Sequence, residues 1–159
     1  MSAIPPGSAV PQIDPRGPRF GAAITAVLLT ATLILGPGSP VGVALLLIQT
    51  VAFGLGALVG LDAQPWGIAY RRLVRPRLKP PAELEDPRPP RFAQGVGLVF
   101  ALLAVAGLLP ALTPLFFVAT GFALFAAVLN AVFGFCLGCE VYLLGARLRG
   151  RSRAASTRG

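Results

Sequence analysis

A seven-residue phrase occurs twice in this chain, Asp14-Pro-Arg-Gly-Pro-Arg-Phe20 and Asp86-Pro-Arg-Pro-Pro-Arg-Phe92, and each copy runs straight into a long apolar stretch. The 72-residue offset between them also superposes Phe53 on Phe125, Tyr70 on Tyr142, Arg75 on Arg147 and Arg77 on Arg149 without a gap. Self-similarity at a fixed offset over so much of a chain is the mark of one supersecondary unit used twice. Two like halves are therefore expected. The segment Asn130 to Cys139 has no counterpart in the first half, since Cys136 and Cys139 align with Gln64 and Gly67, and distinct chemistry is expected there.

Each unit reads as a pair of membrane spans. Apolar stretches run roughly from Phe20 to Leu35, Val41 to Leu61, Phe92 to Leu109 and Leu115 to Phe135, and a helix of about 17 to 25 residues crosses the hydrocarbon. Charged residues make up 13% of the 159 and hydrophobic residues 55%, about half the charge of a soluble domain. The first stretch follows Arg16 and Arg19 as a secretory signal would, but no small-x-small cleavage site follows it and three further stretches do. The expected fold is all-α, an integral membrane four-helix bundle built from two tandem parallel-repeat helical hairpins.

The distribution of charge sets the expected orientation. All 14 Lys and Arg residues fall before the first stretch, between the second and third, or after the fourth, and the connectors 36–40 and 110–114 carry none. The positive-inside rule then makes both termini and the central loop cytoplasmic. Both halves enter from the same face, so the axis relating them runs along the membrane normal. The net charge of +8 flanks spans instead of forming one soluble face, and the tail bearing Arg147, Arg149, Arg151, Arg153 and Arg158 has no stacking aromatics. Anionic lipid headgroups, and no nucleic acid, are the expected partners of that charge. Thirteen Arg to one Lys, with abundant Ala, Gly, Pro and Leu, points to a GC-rich bacterial genome and hence a bacterial cell membrane.

Residues 1–13 are Pro-rich and aperiodic, a flexible lead. The membrane domain covers 14–149, with halves 14–79 and 86–149, a linker at 80–85 and a basic tail at 150–159. In both phrases the proline pushes the preceding aspartate out of helical geometry while itself suiting a first turn, so each phrase is a helix entrance. Asp14 and Asp86 are placed to cap free amides, and Arg19 and Arg91 to sit at lipid-phosphate depth. A sharper expectation pairs Asp14 with Arg91 and Asp86 with Arg19 across the axis. Gly56-x-x-x-Gly60 and Gly134-x-x-x-Gly138 are surfaces on which helix backbones approach closely in lipid, which makes spans two and four the expected inner pair. Trp66 and Tyr70 are expected at the membrane boundary, before a short interfacial helix stopped by Pro76, and Asn130 is expected to bond between helices.

Cys136-Leu-Gly-Cys139 is the one constellation of reactive side chains, in a chain with no histidine. That absence excludes His relays, His-activated nucleophiles and the usual mixed zinc sites. Two thiols three residues apart meet on one helical face or across one tight turn, which suits reversible disulfide formation, sulfane-sulfur transfer or two ligands to a soft metal. Counting about twenty residues inward from Thr113 puts them at the cytoplasmic edge of span four, where a cycling or metal-bound pair is favoured over a permanent disulfide. Glu140 and Asp62, the acids bordering the spans, are candidate participants. Arg71 and Arg72 would lower a thiol pKa and Glu140 would raise it.

At these residues the chain resembles a bacterial membrane family known as domain-of-unknown-function family 4395. The match lies in the paired entrance phrases and in Asn130, Phe133, Gly134, Phe135, Cys136, Gly138, Cys139 and Tyr142. The resemblance implies a small four-span protein and, by association, a soluble thioredoxin-like or sulfurtransferase partner. Three readings follow: a thiol-redox or sulfur-transfer protein with Cys136 and Cys139 as the reacting pair; a small transporter or channel subunit for a sulfur species or soft cation, working as a homodimer with Asp62 and Asn130 on its path; and a structural membrane module with no chemistry.

Overall fold

Proline begins every long span. The computed structural model describes residues 12–156, and in it α1 (Arg16–Leu35) and α4 (Arg88–Ala106) start one residue after the Asp-Pro of their entrance phrases. In both, the aspartate Oδ1 accepts the backbone N–H two residues on, at 3.0 Å from Arg16 and 2.9 Å from Arg88. A proline there has no N–H to leave unpaired, and the carboxylate satisfies one that would be. Helix α2 (Pro40–Gly54) is capped by the Ser39 hydroxyl and passes into a π-helical turn over Leu55–Val59. Helix α5 (Thr113–Phe133) is the fourth long apolar helix. Among the described residues, four helices are thus long and apolar enough to cross a membrane. Two further features flank them: the short α3 (Pro65–Ala69), continued by wider and tighter turns to Arg77, and the long but polar α6 (Leu137–Ser156).

The bundle is a ring in which α1 packs on α2 and α5, and α4 packs on α5 and α2; α3 lies against α1 and α6 against α4. Spans two and four, expected as the inner pair, are diagonal. The glycines show why: a Cβ on Gly56 would meet the Gln94 side chain at 2.9 Å, and one on Gly97 would meet the Phe53 ring at 2.6 Å, so the close approach is between α2 and α4. Gly60 and Gly134 are helix terminators with φ of 144° and 67°, and the Gly134-x-x-x-Gly138 surface is broken by the chain reversal. Away from the entrances, Leu46, Ala104, Phe116 and Ala119 form a buried cluster. There Gly107 is obligatory, because a Cβ would lie 2.2 Å from the Phe116 nitrogen.

Equivalent contacts recur 72 residues apart. Phe20 packs on Tyr70 at 5.8 Å and Phe92 on Tyr142 at 5.7 Å, with interplanar angles of 45° and 51°. Ile13 and Glu85, the residues preceding the two phrases, exchange both backbone hydrogen bonds at 2.9 Å as an isolated antiparallel bridge. An antiparallel bridge is itself twofold-symmetric, so residues 72 apart meet on a local dyad. Ile13 is therefore pinned and is no part of a flexible lead, whose other residues but Gln12 lie outside the described ones. The basic tail begins inside a helix, since α6 runs on to Ser156.

The register is offset in one place. Arg19 donates Nε to the Ala131 carbonyl at 3.0 Å and Nη2 to that of Val132 at 2.9 Å, while Arg91 donates to Ala57 and Leu58, both at 2.8 Å. Acceptors and terminating glycines are 74 apart, not 72. The second half spends two more residues in its helix and two fewer in the following turn.

Candidate functional site

The four arginine–carbonyl bonds answer a problem that apolar surroundings create. The last carbonyls of a helix have no partner within it, and an unsatisfied one away from water costs several kcal/mol, on the order of 2 or more. Each guanidinium forks onto two of them and places its charge at the negative end of the helix dipole. Arg19 reaches from α1 to α5, and Arg91 from α4 to α2. The expected crossing between halves exists, but its acceptors are backbone carbonyls. The carboxylates are taken locally: Asp14 by Arg16 at 2.8 Å and Asp86 by Arg88.

Around Asp14 the first entrance is closed. Its Oδ2 also accepts the Tyr70 hydroxyl at 2.8 Å, both residues being buried. The Arg16 guanidinium, aided by Tyr70 against the cost of burial, holds Asp14 at about 2. Burial and the neighbouring carboxylate push Tyr70 up. Tyr70 is thus inside the fold. Gln64, also buried, donates to Gln94 at 2.9 Å, and Trp66 donates to Gln49 at 3.3 Å. Arg71 is engaged by Asp62 through its side chain at 2.8 Å and its carbonyl at 2.7 Å. A cleft of about 190 Å³ here is lined by Asp14, Asp62, Gln64, Tyr70 and Arg75.

The second entrance is built on the same plan and left open. Gly134, left-handed, ends α5 by returning its N–H to the Asn130 carbonyl, and Phe135 returns its own to Leu129. Only two residues later Cys136 stands immediately before α6. Its carbonyl accepts the Glu140 N–H at 3.1 Å and its Sγ accepts the Cys139 N–H at 3.3 Å. Cys136 is therefore the N-cap of α6, with sulfur in the place of the usual oxygen. The two cysteines are joined as a disulfide with Cα atoms 5.2 Å apart. Gly138, between them, seats the turn: a Cβ there would lie 2.6 Å from the Ala93 Cβ and 2.7 Å from its Cα.

A helix N-terminus lowers a thiol pKa, and an adjacent cation adds to the effect. Cys136 has the first directly. The Arg19 guanidinium lies over the turn, 3.7 Å from where a Gly134 Cβ would be. Arg71, assigned that part from the sequence, is occupied by Asp62. The arrangement distinguishes the thiols, which the sequence left unordered: Cys136 is the one whose sulfur sits at the helix N-terminus. Arg19 was legible as a topology anchor or as a partner of Asp86, because its carbonyl partners have no signature in sequence.

Below Cys136 lies a cleft of about 400 Å³ that draws on α1, α2, α4, α5 and α6. Cys136 and Asn130 line it; Asp62 does not, and borders the other cleft. The Asn130 amide makes no bond to another helix among the described residues, so its interhelical role is replaced by a place on the cleft wall. Glu140 forms no ion pair among the described residues. No third His, Cys, Asp or Glu joins the two cysteines in a metal-ligating group among the described residues.

Four apolar helices with one cysteine pair at the end that carries the arginines define a multi-pass membrane protein. The chain belongs to the family described as a domain of unknown function (DUF4395), whose model matches residues 13–147. No curated protein and no solved structure matches it.

Proposed function

We propose that this protein is a duplicated-hairpin protein of the bacterial cell membrane, with both termini cytoplasmic, whose Cys136–Cys139 pair cycles between dithiol and disulfide against a soluble thioredoxin-like or sulfurtransferase protein. The observation that carries the reading is the N-cap position of Cys136. A cysteine there is activated by the helix it caps, and a second thiol one turn on is placed to resolve whatever bond the first one forms. Cys136 attacks a partner disulfide sulfur, a mixed disulfide forms and the partner's other thiolate leaves. Cys139 then attacks Cys136 Sγ, closing the internal disulfide and releasing the reduced partner. The basic residues at this end of the bundle support its cytoplasmic placement and its contact with anionic headgroups.

Trapping tests the proposal. Membranes carrying Cys139→Ser should accumulate a reducible covalent adduct with a soluble thioredoxin-like or sulfurtransferase protein, and Cys136→Ser should accumulate little. Equal trapping by both variants, or by neither, would contradict it.

A further inference from the structure

The dithiol has a second side. Cys136 lines the 400 Å³ cleft while Cys139 does not, and the cleft extends from the arginine-bearing end into the span region, as far as Phe100 and Phe122. Phe122 and Phe125, which also line it, are each 58% exposed on the outer surface of the bundle, so the cleft opens sideways towards lipid. A co-reactant arriving by that route must be dissolved in the bilayer. Its size falls within the range of about 300 to 1,000 Å³ typical of small-molecule sites.

The lining narrows the chemistry. Phe100 and Phe122 stack at 6.0 Å with 26° between planes, a wall suited to a flat ring. Two hydrogen-bond donors stand unused in it among the described residues: the Asn130 amide, and the hydroxyl of Thr25, a residue only 4% exposed. Thr32 and Thr50 turn their hydroxyls back onto the carbonyl four residues earlier; Thr25 does not. Both groups line the cleft and are free to donate to an acceptor bound in it. A flat, apolar molecule with carbonyl oxygens, able to accept two electrons from a thiolate, is a quinone.

We infer that the cleft binds the ring of a membrane-dissolved quinone, to which the Cys136–Cys139 dithiol delivers two electrons. This rests on the cycling dithiol proposed above and names its second substrate. The Cys136 thiolate adds to a ring carbon, and the electron pair moves onto a carbonyl oxygen, held by Thr25 or Asn130. The Cys139 thiolate then attacks Cys136 Sγ. The S–S bond forms, the C–S bond breaks with its pair left on the ring, and the resulting hydroquinone dianion takes up two protons, matching the two that the thiols gave up. Run in reverse, the exchange with the soluble partner reopens the internal disulfide, the partner's dithiol being oxidised as Cys136 and Cys139 are reduced, so electrons entering from that dithiol leave into the bilayer.

The test uses the full reduced chain in phosphatidylcholine–phosphatidylglycerol vesicles, with a decyl-tailed ubiquinone as one oxidant and hydroxyethyl disulfide as the other. The inference predicts one internal disulfide per quinol formed. It also predicts that Thr25→Val and the cleft-filling Ala126→Phe each lower the ratio of quinone to soluble-disulfide turnover about tenfold, a 1.4 kcal/mol effect. If Ala126→Phe fails to fold, the isosteric Thr25→Val carries the comparison. Turnover with hydroxyethyl disulfide but none with quinone, as when an acyl chain merely fills the cleft, would overturn the inference and leave the cycling dithiol standing. Quinone reduction with an unchanged ratio in the folded variants would remove the cleft as its site. Thiols inert to both oxidants would sink the dithiol reading itself.

Discussion

The two entrances of this protein share one plan and differ in what they do with it. Both have an Asp-Pro-Arg start, an aromatic pair and a guanidinium clamped on the far half's helix end. In the first, side chains close on one another: Tyr70 on Asp14, Gln64 on Gln94 and Trp66 on Gln49. In the second, Tyr142 stacks on Phe92 but makes no bond to Asp86 among the described residues, and Cys136 stands where Gln64 stands, beside a cleft with unpaired donors. A turn shorter by two residues brings Cys136 directly under the end of α5. One entrance is thus a hydrogen-bonded joint, while the other carries the cysteine pair.

The comparison can be broken most severely at the turn glycines. Gly138→Val should detach the start of α6 from α4, with a loss of about 2–3 kcal/mol from overpacking, read as a lower Tm in detergent and as exposed, indiscriminately reactive thiols. An unchanged Tm would mean that α6 does not dock as described. Next in size are the aspartates. Asp14→Asn should cost about 2 kcal/mol, since it weakens a buried charge-assisted pair of bonds, whereas Asp86→Asn, on the surface, should cost under about 0.5 kcal/mol; equal thermal shifts would erase the asymmetry.

The same contrast has a pH signature. The folded value of Asp14 is depressed to about 2 from an ordinary 3.8, so its stabilisation is fully present above the ordinary value and is lost as pH falls through about 2. Arg88 lowers Asp86 as well, in the same direction. Acid titration of the melting temperature should therefore lose its drop between pH 4 and 2 in Asp14→Asn more than in Asp86→Asn.

Some of this was legible in the chain and some was not. Four spans and two like entrances follow from apolar run lengths and a repeated phrase. The partners of Arg19 and Arg91 did not, because a backbone carbonyl bears no residue identity that a sequence can show. The Asp–Arg pairs are formed within each phrase because proline turns Asp14 back onto Arg16, a short-range geometry that hides beneath an attractive cross-half alternative. Cys136 was visible as reactive, but its rank over Cys139 depends on where α6 begins, and that is decided by the left-handed Gly134. The cleft draws small residues from several helices and has no linear signature.

Smaller effects sharpen the account. Arg19→Lys and Arg91→Lys should each cost about 1 kcal/mol, since an ammonium cannot fork onto two carbonyls, and near-equal losses in thermal melts would show that the clamp is a joint shared by both halves. Tyr70→Phe should lose about 1 kcal/mol and Tyr142→Phe almost nothing.

The most direct test of the central claim is differential alkylation of Cys136 and Cys139 with a membrane-impermeant reagent, in intact cells and in inverted membrane vesicles, before and after mild oxidation. The account predicts labelling in inverted vesicles only, reversible loss on oxidation, and in Cys139→Ser a Cys136 that still labels at a pH where the Cys139 of Cys136→Ser does not. Labelling from the outer face, or thiols inert under every condition, would contradict it.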